Sequence, residues 1–498
     1  MRHFDVLEQK RPVSVLHEPA DGVVVARLAF GVGSCDEPVT VAGITHLVEH
    51  LAVRGALPIA LPHNATTADH VTVFEVQATT TDQAMTALQR LADSIGGLLE
   101  VSDDDVTHER KILAGEDRLR YHEQVASVHT VRFGPAGLGR AGAGSAAVAA
   151  TTAAELRRWV AERFVAENAV VTVAGGRAPA SAIDLRLPSG EPAGPVGNGT
   201  GSTRDRVLAA SQLSGIAASV VVAAPVARLL EAVVEHELFA SLRITAGLAY
   251  AVEAHTLDVD RETAVVAVVA ETESDDAARA TDLVIETLHR VAAQGPSDQT
   301  IAAIDAARAL NHLDQAARAD ALIWASMTER LRGVGRPVRF DTAVSTVEVD
   351  ELRAALTPAL STLVVCVDED AEVDLPTLAQ RHGLSHRSSE PGRPLQQGVR
   401  LPKRSRNSYR DAFLPGWASV HVEIHGHELV IKPRGSEARI LDLREAAVVG
   451  TRGDGGVTVV DADGNAFHVR ADEWWRGPRF VKSVIAATPA HLIRRFAD

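Results

Sequence analysis

The sequence predicts an α+β protein composed of two related halves and a small C-terminal domain rich in β-strands. Three observations support this prediction. Over the first 385 residues, apolar runs typical of strands alternate with capped amphipathic stretches typical of helices. This alternation begins again after a stretch near 175–204 that is rich in Gly, Pro and Ala. From about residue 386 the chain changes to a basic, Pro-rich linker followed by short strand-like runs.

At 498 residues the chain is too long for one hydrophobic core, so these breaks are expected to separate domains. We place the domains at 1–180, 205–385 and 410–498. The last of them should be a small β-barrel or sandwich, of the general kind seen in pleckstrin-homology-like modules. A helical tail over "PRFVKSVIAATPAHLIRRFAD" is expected to close it.

The individual elements follow from Val-, Phe- and Thr-rich runs for strands and from Ser or Thr caps for helices. In the first half the predicted strands are "PVSVLHEP", "GVVVARLAFGVG" and "HVTVFEVQATT". The predicted helices there are 40–54, "TDQAMTALQRLADSIGGLLE", "SDDDVTHERKILAGEDRLRYHE" and "TTAAELRRWVAERF". In the second half, "AASVVVAAP" and "TAVVAVVAET" are predicted strands, and a long helix is predicted from about 226 to 243.

Two pairs of segments indicate that the halves arose by duplication. "TTAAELRRWVAERFVAENAVVTVAGG" at 151–176 and "STVEVDELRAALTPALSTLVVCVDED" at 345–370 are both a capped helix followed by a buried strand. "AVVEH" at 232–236 also resembles "HLVEH" at 46–50, with Ala232 where the first His would be. Chance similarity between amphipathic helices is the alternative.

The composition excludes several classes of partner. The 65 acidic and 50 basic residues give a net charge of −15, which argues against nucleic acid and anionic membranes as partners. Two cysteines, Cys35 and Cys366, are too few for a disulfide framework. No signal-like or membrane-spanning apolar run is found, so we expect a cytoplasmic protein.

The segment HLVEH places two histidines four residues apart. On a helix His46 and His50 would lie on one face and could bind one metal ion, while Glu49 could take a proton from a metal-bound water. The alternative is an ordinary amphipathic helix, because the chain contains 20 histidines and such a pair arises by chance.

A catalytic zinc site needs a third protein ligand and an open position. In "DDDVTHERKILAGEDRLR" Glu109 and Glu116 are seven residues apart, so they lie on the same side of one helix. One could bind the metal and the other could orient a ligand. Taken alone, the pair could equally be solvated surface carboxylates.

These segments resemble the pitrilysin/insulinase peptidases, a family that includes the mitochondrial processing peptidases and smaller bacterial two-domain members. H-x-x-E-H is the inverzincin motif of that family. The resemblance rests on four segments in order over residues 28–252, namely "FGVGSCDEPVTVAGITHLVEHLAVRG", "HNATTADHVTVFEV", "ERKILAGE" and "LFASLRITAGLAYAVEA".

The resemblance implies two homologous halves, each a mostly antiparallel sheet flanked by helices as in processing peptidase subunits. It implies one Zn²⁺ per chain, bound by His46, His50 and Glu116. Glu49 would be the general base and Glu109 a carboxylate that orients the ligands.

It further implies that Asn64 and Ala65 lie on an edge strand that pairs with an extended substrate. Arg243 and Tyr250 would hydrogen-bond the substrate carbonyl and stabilise the developing oxyanion. A charge at a helix end and a packed tyrosine are the alternative for this last pair.

The sequence departs from the family pattern in three places. The interval from His50 to Glu116 is about ten residues shorter than in relatives of this motif class, and the loss falls in "RGALPIALPHN". Arg243 is followed by Ile-Thr-Ala where relatives often have Glu-Lys-Arg. The C-terminal domain lies outside the two-domain pattern.

Two functions fit these residues. One is a zinc endopeptidase acting on short or unfolded peptides. Removal of a leader from a peptide precursor and general peptide clearance both fit it, and the extra domain favours a dedicated precursor. The other is a non-catalytic peptide-binding or scaffolding subunit of a heterodimeric processing peptidase. The complete set of His46, Glu49, His50 and Glu116 favours the enzyme, because a scaffold needs no base.

Larger relatives enclose their substrate in four similar domains, so two chains of the present kind are expected to form a closed chamber. The pair would be a homodimer, or a heterodimer with a related chain. Arg243 and Tyr250 of one chain would then complete the site of the other.

A last cluster, His421, His425 and His427, lacks an acidic or cysteine complement, so we predict ordinary hairpin histidines there.

Overall fold

Two six-stranded sheets with the same strand order form the two halves of the molecule. The computed structural model describes residues 13–56, 60–120, 123–145, 147–192, 206–334, 341–388, 391–394, 408–411, 420–432 and 437–496. Most of the predicted Pro-rich linker, and the segment 193–204 of the predicted inter-half linker, lie outside these residues.

The described part of the first half contains a mixed sheet and five α-helices. Its described elements are β1 (Val13–Glu18), β2 (Val24–Phe30), α1 (Ile44–Ala56), β3 (His63–Thr67), β4 (Thr72–Ala78), α2 (Thr81–Gly97), α3 (Asp103–Arg120), α4 (Glu123–Phe133), α5 (Ala153–Arg163), β5 (Ala169–Ala174) and β6 (Ala182–Ile183). The strand order is β3-β4-β2-β5-β1-β6, in which β1 and β5 are parallel and the other neighbours antiparallel.

The second half repeats this plan. Its described elements are β7 (Val207–Ser211), β8 (Ile216–Ala223), α6 (Ala224–Leu238), β9 (Ala249–Asp258), β10 (Thr263–Thr272), α7 (Ala277–Gln294), α8 (Asp298–Leu313), α9 (Gln315–Arg332), α10 (Thr346–Ala359), β11 (Val364–Asp368), α11 (Leu375–Arg381) and β12 (Ser385–Arg387). The strand order β9-β10-β8-β11-β7-β12 matches that of the first sheet position by position. The predicted fold class of two related halves is therefore confirmed.

Each sheet is covered on both faces, and one covering helix comes from the other half. Ala26 and Leu28 of β2 point into the core formed with α1, α2 and α5. The alternate residue Ala29 packs with Met327 of α9 instead, because successive side chains of a strand point to opposite faces. On the second sheet, Val128 of α4 packs in the same way. This reciprocal exchange explains why the central strands are apolar almost throughout.

Polar contacts fix the exchanged helices in place. The guanidinium of Arg132, on α4, is buried and donates hydrogen bonds to Ser219 and to the carbonyl oxygen of Thr362. Arg27, on β2, forms an ion pair of 2.5 Å with Asp320 of α9. The two halves thus share buried contacts rather than meeting only at a linker.

The C-terminal domain consists of two sheets and a helix around one core. Its described elements are β13 (Arg393–Pro394), β14 (Ser408–Asp411), β15 (His421–His425), β16 (Glu428–Lys432), β17 (Arg439–Asp442), β18 (Val448–Thr451), β19 (Val457–Val460), β20 (Ala466–Val469), β21 (Trp474–Trp475), α12 (Gly477–Ala487) and β22 (Ile493–Arg495). The strand orders are β13-β17-β16-β15-β14-β21 and β20-β19-β18-β22. Val422, Val459 and Phe480 bring both sheets and α12 into the same core.

Several elements differ from the sequence prediction. The predicted helical tail ends at Ala487, because Pro489 cannot continue the helix, and residues Ile493–Arg495 form β22 beside β18. Strand β9 was not among the predicted strands. The long helix of the second half begins at Ala224, and its last part, Phe239–Thr245, is a π-helix.

In the described part of the chain, no helix is both long and apolar enough to span a bilayer.

Candidate metal centre

The helix that carries HLVEH begins at a buried carboxylate. Both oxygens of Glu37 accept hydrogen bonds from N–H groups at the start of α1, those of Gly43 at 2.7 Å and Thr45 at 2.8 Å. These N–H groups have no partner within a helix, so a carboxylate there stabilises the first turn. Gly43 has φ +95°, and a Cβ at this position would lie 2.3 Å from the Cβ of Ser145, so the entry to α1 requires glycine.

One face of α1 packs into the core and the other carries the candidate ligands. Leu47, Val48 and Leu51 are buried in the core of the first half. Ligand atoms of His46, Glu49 and His50 all lie within 4.8 Å of one another, and the two imidazole centroids are 4.7 Å apart. The spacing of four residues therefore brings both histidines to one point, as the sequence predicts.

Helix α3 brings two glutamates against His50. Nδ1 of His50 lies 3.1 Å from Oε1 of Glu109, and Nε2 lies 3.0 Å from Oε2 of Glu116. Glu109 is buried and Glu116 is partly exposed. With Glu109 on Nδ1, Nε2 is the nitrogen that is left for a metal ion, and a carboxylate of the third candidate ligand is beside it.

Glu49 lies on the buried side of the histidine pair. Its side chain is 7% exposed, and its Oε2 accepts a hydrogen bond of 2.7 Å from the hydroxyl of Thr67 at the end of β3. Burial raises the pKa of Glu49, and the hydrogen bond from Thr67 reduces that rise. A carboxylate with a raised pKa next to two imidazoles is a suitable proton acceptor.

These residues fit a zinc ion. Ligand atoms of His46, Glu49 and His50 lie within 4.8 Å of one another, and Glu116 lies 3.0 Å from Nε2 of His50, so two imidazoles and a carboxylate are available, which is the mixed nitrogen and oxygen ligand set of catalytic zinc. A buried carboxylate on the second nitrogen of His50 is the usual support for such a ligand. The structure thus brings together His46, Glu49, His50, Glu109 and Glu116, the five residues named from the sequence.

The predicted substrate strand lies at the edge of the first sheet. β3 pairs with β4 alone in the described sheet, and it contains Asn64, which is exposed, and Ala65, which is half-buried. The end of β3 lies beside the candidate metal centre, because Thr67 on this strand donates a hydrogen bond to Glu49. An extended peptide could therefore pair with this edge.

Arg243 and Tyr250 lie together in the second half. Nη1 of Arg243 donates a hydrogen bond of 2.5 Å to the carbonyl oxygen of Tyr250, and the guanidinium lies over the rings of Tyr250 and Phe239. Tyr250 is 76% exposed, so its hydroxyl is accessible to another molecule. Arg243 lies in the π-helix after α6, a conformation that is often found at functional sites.

Two residues at the site had no role in the sequence prediction. Thr67 belongs to the segment "HNATTADHVTVFEV", and only its place at the end of β3 shows that it reaches Glu49. Arg54, one turn after His50 on α1, forms ion pairs with Asp105 and Glu109. The sequence shows that Arg54 lies four residues after His50, but it does not show that Asp105 and Glu109 are the partners of Arg54.

The histidines of the C-terminal domain have other partners. His425 lies 3.0 Å from Glu423, and His427 lies at hydrogen-bond distance from the carbonyl oxygen of Ala487. His421 and His425 are both on β15. These contacts do not form a group of metal ligands within the described residues.

Part of each half matches a model of the same peptidase family. Residues 13–129 match the family model of insulinase, peptidase family M16, and residues 223–307 match that of the peptidase M16 inactive domain. These two stretches therefore match the two domain models of the M16 peptidases, which confirms the resemblance seen in the motifs. No curated protein matches the chain in sequence.

Solved structures with the same fold include three that cover most of the chain. A protease from Helicobacter pylori is 13% identical, with 72% of this chain and 98% of that chain covered and a TM-score of 0.54. A chain of Complex III2 from Candida albicans is 12% identical, with coverages of 74% and 96% and a TM-score of 0.54. The periplasmic protease PqqL from Escherichia coli is 16% identical, with coverages of 86% and 56% and a TM-score of 0.50.

Proposed function

We propose that the protein is a zinc-dependent endopeptidase that cleaves short or unfolded peptides. The observation that supports this most strongly is the convergence of two helices of the first half. α1 contributes His46, Glu49 and His50, and α3 brings Glu116 within 3.0 Å of His50. A peptide-binding scaffold would have no need for a buried, basic carboxylate between two candidate ligands.

His46, His50 and Glu116 would hold the zinc ion, one per chain, and Glu109 would fix the imidazole of His50 through Nδ1. When bound, the ion would supply Lewis acidity that lowers the pKa of water and polarises the peptide carbonyl. Glu49 would take the proton of the attacking water on its carboxylate and pass it to the leaving amine. Thr67 would hold Glu49 in the orientation that these transfers need.

The substrate would bind as an added strand on β3. Ala65 turns its backbone groups to the outer edge of the described sheet, and Asn64 offers an exposed side chain next to it, so pairing would recognise the peptide backbone rather than particular side chains of the substrate. A folded protein rarely offers a free extended segment. This mode therefore favours short or unfolded peptides, among which a leader or precursor peptide is our preferred class, and the cytoplasm is the expected compartment.

Arg243 and Tyr250 would stabilise the oxyanion that develops on the substrate carbonyl. Both are in the second half, and Tyr250 is largely exposed. The chain spans 56% of PqqL, so two copies would supply a comparable number of domains. We therefore propose a closed chamber of two chains, either a homodimer or a heterodimer with a related chain, in which the Arg243 and Tyr250 pair of one serves the metal centre of the other.

The second candidate is a peptide-binding or scaffolding subunit without catalytic activity. The observation that favours it is the likeness to a chain of Complex III2 and the match of the second half to an inactive domain. The two candidates differ in metal content and turnover. We expect one zinc per chain and hydrolysis of an unstructured peptide by the native protein, and loss of both in a His46→Ala, His50→Ala double variant. Hydrolysis by metal-free protein would contradict the proposal.

A further inference from the structure

The metal centre carries more negative charge than a zinc ion offsets. Glu49, Glu109 and Glu116 are all within the group of contacts described above, and Glu49 and Glu109 are 7% and 4% exposed. A divalent ion would leave one negative charge uncompensated in a buried setting, which is unfavourable unless a cation is near.

Arg54 provides that cation. It lies one turn after His50 on α1, and its Nη1 is 3.5 Å from Oε2 of Glu109. The other oxygen of Glu109, Oε1, is the one that contacts Nδ1 of His50. Oε2 of Glu109 is buried and has no hydrogen-bond partner in the described structure, so the ion pair with Arg54 is its polar contact.

A second carboxylate holds Arg54 from the outside. Nη2 of Arg54 lies 3.2 Å from Oδ1 of Asp105, which is one turn before Glu109 on α3. The two contacts place the guanidinium across the junction of α1 and α3. Arg54 therefore links the helix that carries both histidines to the helix that carries both glutamates.

We propose that Arg54 is a positioning residue of the metal centre, which acts through Glu109 on His50 and so tightens the binding of zinc. This inference rests on the proposed function, because it assigns Arg54 a role toward the same ion. Of the two ion pairs of Arg54, the one with Asp105 is the weaker, because the side chain of Asp105 is 48% exposed.

The competing explanation is an ordinary surface ion pair. Arg54 is 43% exposed, and exposed pairs contribute little to stability. The distinction lies in what each explanation predicts for Glu109. If Arg54 forms only a surface ion pair, its loss should lower stability slightly and leave zinc affinity almost unchanged. If Arg54 is a positioning residue, its loss should lower zinc affinity, but only in a protein that still contains Glu109.

The test is a double-mutant cycle on zinc affinity, measured by competition with a chromophoric chelator. The variants are Arg54→Gln, Glu109→Gln and the combination of the two. We expect Arg54→Gln to weaken zinc binding about 10- to 100-fold, as loss of an outer support does for other metal sites. The double variant should bind zinc about as weakly as Glu109→Gln alone. Arg186→Gln, which breaks an exposed ion pair with Asp93 in the same half, is the matched control and should leave zinc affinity unchanged.

Circular dichroism of the metal-free proteins separates positioning from folding, and Arg54→Gln should be as fully folded as the native chain at the temperature of the titration, although the lost contact to the buried Oε2 of Glu109 lowers its thermal midpoint. Arg54→Lys keeps the charge but cannot contact Glu109 and Asp105 at the same time, so it should lose less zinc affinity than Arg54→Gln. It replaces Arg54→Gln in the test if that variant does not fold. Unchanged zinc affinity in Arg54→Gln, or losses that simply add in the double variant, would overturn the inference. Failure of the native chain to bind zinc in the same titration would overturn the proposed function, and this inference with it.

Discussion

Thr67 is the residue that connects the edge strand of the first sheet to the proposed base. Its hydroxyl donates a hydrogen bond to Glu49, and its position at the end of β3 places it next to the candidate metal centre. Burial raises the pKa of Glu49, and the bond from Thr67 opposes this rise. Since a base acts only when ionised, Thr67 keeps Glu49 available at lower pH.

We therefore predict that Thr67→Val, which removes the hydroxyl but keeps the shape, raises the pKa of Glu49 further. Activity is lost as the pH falls through the pKa of the base, so the acid limb of kcat/KM should move to higher pH. The measurement is the pH profile of kcat/KM for the native protein, for Thr67→Val and for Thr66→Val, an exposed neighbour, as control. Coincident acid limbs for the native protein and Thr67→Val would contradict this role.

Most of the candidate site residues could be predicted from their spacing along the sequence. HLVEH and the seven-residue interval between Glu109 and Glu116 are helical periodicities, so the sequence contains them directly. The contacts of Thr67 and Arg54 depend on how β3 and α3 pack against α1. Such contacts between distant segments leave no periodic signal in one sequence.

At the scale of elements, α5 and α10 begin with the same device. Thr152 and Glu155 form a capping box at the start of α5, and Ser345 and Glu348 form one at the start of α10. In each the hydroxyl accepts from one backbone N–H and the carboxylate from another. Glu348 also forms an ion pair of 3.0 Å with Arg308 on α8, so it ties two helices of the second half together.

This gives a prediction for stability and its pH dependence. Burial alone would raise the pKa of Glu348, but hydrogen bonds from Arg308 and Ser345 outweigh it and lower that pKa from 4.5 to about 2. Glu348→Ala should cost about 2 kcal/mol of stability at pH 7, from the lost cap and ion pair. Because the folded-state pKa is lowered, this difference should be full above pH 4.5 and shrink as the pH falls toward 2.

Denaturant unfolding of the native protein and of Glu348→Ala at pH 7 and pH 3 measures the effect. A stability difference that is as large at pH 3 as at pH 7 would contradict the assignment to the ionised carboxylate. Glu155→Ala is a useful comparison, since Glu155 has the same capping role on α5 but pairs with Arg494 of the C-terminal domain.

The elements that sequence reasoning missed have physical explanations. β9 contains Ala, Glu and His, which have little preference for strands, and it is held by its pairing with β10. β22 follows a proline that ends α12 and is stabilised by parallel pairing with β18. The exchange of α4 and α9 between the halves is a matter of tertiary packing, and an apolar helix face does not specify which sheet it will cover.

At the scale of the whole molecule, the second half has the arrangement of the candidate metal centre but lacks two of its three ligands. Ala232 and His236 on α6 have the spacing of His46 and His50, and both line a cavity of about 920 Å³. Asn311, which also lines it, is fourteen residues after the cap Ser297 of α8, as Glu116 is after Ser102 of α3. The duplicated fold therefore places Ala232 and Asn311 where the first half has two candidate ligands.

We predict that Ala232→His combined with Asn311→Glu creates a second metal site. Zinc content should rise from one to two ions per chain, because two imidazoles and a carboxylate would then converge as in the first half. Each single variant is the control and should stay at one ion per chain. A double variant that folds normally and still binds one ion would show that the two halves are not in the register proposed here.

Assembly can be tested by complementation between two inactive proteins. Glu49→Gln lacks the base and Tyr250→Phe lacks the proposed oxyanion donor, and each change alone should reduce kcat by about 10²-fold or more. In a mixed dimer with shared sites, one of the two sites combines an intact Glu49 with an intact Tyr250. Mixing under conditions of subunit exchange should therefore restore part of the activity. No recovery in demonstrably mixed dimers would mean that Tyr250 acts within its own chain or has no catalytic role.

A comparison of the native protein with Glu49→Gln at equal zinc content shows whether α1 and α3 together form the site of a zinc peptidase. Glu49 is proposed to move the proton and not to hold the ion, and glutamine preserves its size. We predict one zinc per chain in both proteins, with cleavage of an unstructured peptide by the native protein and none above background by Glu49→Gln. Equal zinc with equal cleavage, or no cleavage by a native dimer that holds its zinc, would contradict the account.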